Sequence, residues 1–171
     1  MPAVYLLAFV LEDVTKFRYS DIHPVMKYLF TILTVLVVQT VFAVKPCDKC
    51  DLEKVRIVNQ HLDSLTYQML TEFLCTFDNS CKNNVEYSEF SNETLFSVLE
   101  KAPNLFFQVM ATRQIDNKII LKEIENPIND LINLQTVYDK TKIATTKTEL
   151  KTKYLNALIL AANKSGLKLK K

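Results

Sequence analysis

The sequence predicts an all-α fold, a single disulfide-stabilised domain of about five helices behind a signal peptide. Three observations carry that expectation. The chain has 171 residues and one glycine, where average usage would give about a dozen. Apolar residues Val55, Val58, Leu62, Leu65, Met69 and Phe73 recur at spacings of 3, 4, 3, 4 and 4, one stripe of an α-helix. All four cysteines fall within Cys47–Cys81, downstream of an apolar leader.

The glycine shortage also excludes chemistry. The phosphate-cradling G-x-G-x-x-G and G-x-x-x-x-G-K-[ST] loops and the G-x-S-x-G elbow each need two glycines or more. Asn-Gly and Asp-Gly hairpin turns are missing as well. Acidic residues are plentiful, but no pair is flanked by a motif that assigns acid and base roles. The chain downstream of the leader has one histidine, His61; it reads as a surface or boundary residue. No catalytic residue, metal site or cofactor is expected, and the chain is not expected to be an enzyme.

The elements follow in order. Tyr28 to Ala43 contains 12 apolar residues of 16, preceded by Lys27 and closed by Val41-Phe42-Ala43. That is the pattern of a signal peptide over residues 26–43, cut after Ala43. Residues 1–25 then form an upstream extension. The alternative is a membrane anchor over residues 28–44; 17 residues of helix reach about 26 Å, short of the ~30 Å hydrocarbon core. Cleavage leaves residues 44–171 as one secreted domain.

Asp51 to Phe77 reads as an amphipathic helix, with Asp48 and Asp51 where a helix N-terminus favours acids. Residues 78–92 are polar and read as a loop, with a short extended piece at Val85–Tyr87. Ser91 or Asn92 can cap a second helix carrying Leu95, Phe96, Val98 and Leu99. Pro103 interrupts it. Asn104 then caps a short helix with Leu105, Phe106, Val109 and Met110, which Asp116-Asn117 ends. Lys118–Glu125 is ambiguous between helix and strand. Asn126-Pro127 is a helix start signal, followed by Ile128, Leu131, Ile132, Gln135 and Tyr138 at helical spacing. The last helix spans about Lys147 to Lys164, with Leu150, Tyr154, Ala157, Leu158 and Ala161 as its stripe. Gly166 is its C-cap.

Four cysteines in a secreted chain, Cys47, Cys50, Cys75 and Cys81, imply disulfides, and three pairings exist. Cys50 and Cys75 would lie about 37 Å apart on one straight helix. A nested pairing, Cys50–Cys75 with Cys47–Cys81, therefore requires a break, best placed at His61–Ser64. Two local bridges, Cys47–Cys50 and Cys75–Cys81, would leave the helix whole. Both arrangements stay open. Redox catalysis by the C-x-x-C is disfavoured, because no βαβ pattern surrounds it and Asp48 and Asp51 oppose thiolate formation. The oxidising compartment disfavours zinc.

C-D-K-C, an amphipathic helix, and then Cys75 resemble the first half of a saposin-like domain, over residues 47–81. The resemblance implies a secreted or lysosomal helical fold that binds or perturbs lipids. The family's last two cysteines have no counterpart here, so its connectivity does not carry over.

Charge is divided along the chain. Residues 44–139 carry 9 basic and 15 acidic side chains, and residues 140–171 carry nine lysines and Glu149 alone. Lys147, Lys151, Lys153, Lys164, Lys168, Lys170 and Lys171 form a candidate basic patch for an anionic partner or membrane; equally, the basic helix can pack against the acidic remainder. Nucleic acid is not an expected partner. Asn92-Glu93-Thr94 and Asn163-Lys164-Ser165 are glycosylation sequons, both expected at exposed helix ends.

Two functions follow. The first is a secreted, non-enzymatic carrier that holds a small apolar ligand or lipid between helices, its cavity lined by Leu62, Leu65, Met69, Phe106 and Leu158. The second is an extracellular effector-type protein acting through its surface, with the basic C-terminal end contacting a protein, anionic surface or membrane.

Overall fold

The computed structural model describes residues 47–112 and 115–170, which lie within one compact unit. The signal peptide, the anchor alternative, the upstream extension and Lys171 lie outside the described residues. The described residues form seven α-helices and two 3-10 turns. The all-α class holds, with more helices than the five the sequence predicts, and no strand occurs among the described residues.

The amphipathic segment is a hairpin, not one helix. Helix α1 spans Leu52–Gln60, and Asp51 caps it by accepting the Glu53 and Lys54 amides. The exposed His61 donates its Nδ1 hydrogen to the Ile57 carbonyl at 2.8 Å. Leu62–Ser64 forms a 3-10 turn. Helix α2 then runs over Tyr67–Leu74, capped by Thr66. The break falls where Asp63 and Ser64 invite it, although Thr66 is the residue that caps. Lys54 and Glu72 pair across the hairpin.

That hairpin decides the cysteines, and it selects neither of the two weighed pairings. Cys47 bonds Cys75 and Cys50 bonds Cys81, with Cα separations of 6.0 and 5.5 Å. Helix α2 brings Cys75 back beside Cys47. The 3-10 turn Asn79–Asn83 then carries Cys81 under Cys50. Two contacts pin the register: the Cys50 amide donates to Thr76 O at 2.9 Å, and Lys49 Nζ donates to Cys75 O at 2.6 Å. Among the described residues Cys50 is the one non-glycine residue held at positive φ, 57°. Such a conformation costs an L-residue about 1–2 kcal/mol, and the bridge and the Thr76 contact hold it.

Helix α3, Val85–Lys101, is the central element. It starts inside the segment the sequence reads as a loop, and Val85–Tyr87 is its first turn. Asn84 supplies the cap, accepting the Tyr87 amide at 3.1 Å. The polar run conceals the helix because Ser91, Asn92 and Thr94 are buried in it. Apolar Tyr87, Leu95, Phe96, Val98 and Leu99 complete a helix that is buried on several faces. It packs against α1 and against the four helices introduced next, except the last, as a helix buried on several faces must.

Pro103 ends α3 and occupies the first turn of α4, Pro103–Met110. Ala102 therefore stands at its cap, and Asn104 instead accepts the Thr145 amide at 2.7 Å. Asp116 begins a helix where the sequence predicted an end: it caps α5, Asn117–Ile124. This settles the ambiguous Lys118–Glu125 segment as helical. Asn126-Pro127 starts no helix. Helix α6 spans Leu134–Ile143, capped by Asn133. The last helix, α7, spans Thr148–Lys164. Gly166 has φ +71°, with open space where a Cβ would stand. The Leu167 amide reaches Ala162 O and the Gly166 amide reaches Asn163 O, the bond pattern that closes a Schellman C-cap.

The core draws on all seven helices. Phe106, Phe107 and Tyr154 meet edge to face at centroid distances of 5.1 to 5.4 Å. Tyr87 is buried, and its hydroxyl donates to Thr76 Oγ1 at 2.6 Å, which itself donates to Phe73 O.

Burial pushes the Tyr87 phenol up to about 12. An unfolded tyrosine ionises near pH 10. Between those values the unfolded chain loses a proton that the folded chain keeps. Stability should therefore fall by roughly 2–3 kcal/mol from this group as pH rises from about 10 to 12. Denaturant titrations across that range measure it, and a flat profile would contradict it. Replacing Cys50 and Cys81 together by alanine opens a bridge of sequence separation 31 and should cost about 2–4 kcal/mol in the same measurement.

Candidate functional site

The five residues expected to line a cavity are not gathered around one. Phe106 and Leu158 are fully buried in the core, and the Phe107 and Tyr154 rings fill the space beside Phe106. Leu62, Leu65 and Met69 are half-buried at the edge of the hairpin. A cleft of about 220 Å³ opens elsewhere, between Lys49, Leu74, Phe77 and Asp78 on one side and Asp116 and Ile119 on the other. It is smaller than typical small-molecule pockets. The Ser80 amide and hydroxyl hold the Asp78 carboxyl below its ordinary range, so the rim of that cleft stays charged.

The basic residues are engaged locally. Lys153 pairs with Glu149 one turn earlier in its own helix, which lowers the Glu149 carboxyl. Lys151 Nζ donates to Ala144 O at 3.0 Å. Lys164 Nζ donates to Glu125 O at 3.0 Å and Asn126 Oδ1 at 2.8 Å, closing the C-terminus of α5. Lys147, Lys168 and Lys170 have exposed side chains. The residues beyond Gly166 do not hang free. Leu169 packs against the core. The Lys170 amide donates to Gln135 Oε1 at 2.8 Å, and Gln135 Nε2 donates back to Lys170 O at 3.2 Å.

Asn92 is the largest departure from the sequence reading. It lies mid-helix at 0% exposure, not at an exposed helix end. Its Nδ2 donates to Glu123 O at 3.1 Å, Glu123 Oε2 at 3.3 Å and Asn126 O at 3.4 Å. Its Oδ1 accepts the Ile128 amide at 3.1 Å. A glycan on that nitrogen is incompatible with this arrangement. Asn163, in the last turn of α7, is exposed and keeps its sequon available.

Asn92 explains why Asn126-Pro127 begins a turn. With the Asn126 carbonyl and the Ile128 amide both held by one buried carboxamide, the chain cannot enter a helix there. Asn126 looks backward instead, donating to Lys122 O at 2.7 Å. Asn129 Nδ2 donates to Glu93, and Asn129 Oδ1 accepts the Leu131 amide at 2.8 Å. The turn from 126 to 133 and the segment from 164 to 170 therefore run side by side, tied at both ends. Lys164–Asn126 is one tie and Lys170–Gln135 the other.

Between the ties stand residues that the helical reading assigns to a core face. Leu131 is 89% exposed and Ile128 47%. Leu167, on the other segment, is 52% exposed. Asn126, Pro127, Asn129 and Asn133 crowd this stretch, a composition that marks turns and that outweighs the apolar spacing.

Compared with known protein families, curated proteins and solved structures, the chain matches none.

Replacing Asn92 by alanine leaves the Ile128 amide and two carbonyls without their partner and should cost about 2–4 kcal/mol. Glycopeptide mapping of protein from a secretory host should find Asn92 bare. Occupancy of Asn92 in folded protein would refute the buried carboxamide.

Proposed function

We propose that this chain is a secreted, non-enzymatic interaction protein that acts through its surface, with its basic C-terminal end contacting an anionic partner. One observation carries the reading. Three of the seven large apolar side chains exposed among the described residues, Ile128, Leu131 and Leu167, stand on the two tied segments, with Leu131 at 89% exposure, whereas the interior positions proposed for a ligand are occupied. Phe106 and Leu158 are fully buried, with Phe107 and Tyr154 ring edges against Phe106.

A carrier of a small apolar ligand needs an enclosed apolar space. The cleft beside Lys49 and Asp78 is small and charged at its rim. It suits that role less well than the outer surface suits docking. The division of charge supports the anionic choice, since residues 150–171 contain six lysines and no acid. Secretion is supported by the leader over residues 26–43, the even cysteine count, and the absence of free thiols among the described residues.

Organic extraction of the purified secreted protein, followed by mass spectrometry, tests the reading. No apolar molecule should be recovered in stoichiometric amount. A lipid recovered at one per chain would overturn surface action in favour of the carrier. Intact mass of the same sample should begin at Val44.

A further inference from the structure

The surface between the two ties has a chemistry of its own. Among the described residues, four of the seven exposed large hydrophobics are Ile128, Leu131, Leu160 and Leu167. Ile128 and Leu131 stand on the 126–133 turn and Leu167 on the tied C-terminal segment. Leu160 precedes Lys164 by one helical turn and so shares its face. None of these residues belongs to residues 47–81.

The platform beneath them is built. The Ile128 amide is held by Asn92, and the Leu131 amide by Asn129. Asn129 is held in turn by Glu93. Lys164 and Gln135 fix the other edge. Exposed aliphatic side chains on so constrained a backbone have little ordering entropy left to lose on docking.

Lys122, Lys164, Lys168 and Lys170 are exposed around this ridge. The acids nearby are Asp130, exposed, and Glu93, Glu123 and Glu125, half-buried, of which Glu93 and Glu123 are engaged by Asn129 and Asn92, with Asp139 accepting from Gln135 Nε2 at 3.0 Å. Protein interfaces are depleted in lysine and rely on Tyr, Trp and Arg anchors, none of which lies on the ridge. A stable dimer also needs about 20–30 residues a side, far more than the ridge offers. Aliphatic side chains fringed by lysine are instead what an anionic bilayer surface binds.

We propose that the ridge of Ile128, Leu131, Leu160 and Leu167 docks on an anionic lipid bilayer. The leucines and isoleucine enter the headgroup boundary and the surrounding lysines meet the lipid phosphates. No helix among the described residues is long and apolar enough to cross a membrane, so the contact lies on the surface. The proposal rests on the surface-acting reading above and names its partner.

The test uses the full disulfide-bonded secreted chain carrying Asn163→Gln, so that no glycan shields the ridge. It is sedimented with vesicles of phosphatidylcholine alone and of phosphatidylcholine with phosphatidylserine. The chain should partition onto the phosphatidylserine vesicles only, and less so as salt rises. Leu131→Glu should weaken that partition by about tenfold or more, and Leu167→Glu should do the same. Val85→Glu, at an exposed apolar residue away from the ridge, should not. Thermal melts check that all variants remain folded; Leu131 is too exposed for its loss to unfold the chain. No partition onto either vesicle overturns the proposal, as does equal partition of the Leu131→Glu and Val85→Glu variants. Ultracentrifugation showing a dimer that Leu131→Glu dissolves would overturn it in favour of a second copy. If lipid binding fails while extraction recovers no ligand, only the bilayer proposal falls and surface action stands.

Discussion

One buried carboxamide holds the C-terminal half of this protein in place. Asn92 sits inside the central helix with no access to solvent, and every polar atom it brings there must find a partner or cost the fold its desolvation. A carboxamide offers both two donors and an acceptor. Asn92 uses them on the end of α5 and on the turn that follows it. Because that turn is fixed, Asn126 can receive Lys164 from α7. Because α7 is fixed, the residues beyond Gly166 can pair with Gln135 at the start of α6. A change at Asn92 would thus travel along hydrogen bonds to a tail more than seventy residues later.

The N-terminal half is organised differently. There the constraint is covalent, and it follows from the hairpin of α1 and α2. Once the chain reverses at Leu62–Ser64, Cys75 and Cys81 both return to the Cys47–Cys50 turn, and the crossed pairing forms with Cα separations of 6.0 and 5.5 Å. Two closures over 28 and 31 residues reduce the freedom of the unfolded chain. They also hold Cys50 in a conformation that it would not otherwise keep. The two halves share α3, which packs on α1 and also on α5 and α6.

This arrangement relates directly to the proposed function. Lys164 Nζ and the Lys170 backbone amide, both from the candidate basic patch, bond neutral carbonyl and carboxamide oxygens rather than carboxylates. The apolar side chains between the ties are presented by a backbone with no slack. In the proposed reading a structural role and an interaction role fall on the same few residues: Lys164 closes α5 and also stands at the edge of the ridge.

The sequence by itself determined what depends on neighbours three or four positions away. One glycine and the 3.6-residue period set the all-α class. The stripe from Tyr154 to Ala161 located α7, and Gly166 located its end. For the first amphipathic segment the sequence left an unbroken helix and a break at His61–Ser64 both open. Only the tertiary structure decided what depends on partners far along the chain. It set the crossed disulfides, the start of α3 within a polar run, and the turn at Asn126-Pro127. It also turned Ile128 and Leu131 outward. A polar residue such as Asn92 is read as exposed until its partners, up to 36 positions away, offset the desolvation that burial costs. An apolar residue at helical spacing is likewise read as core until those partners forbid the helix.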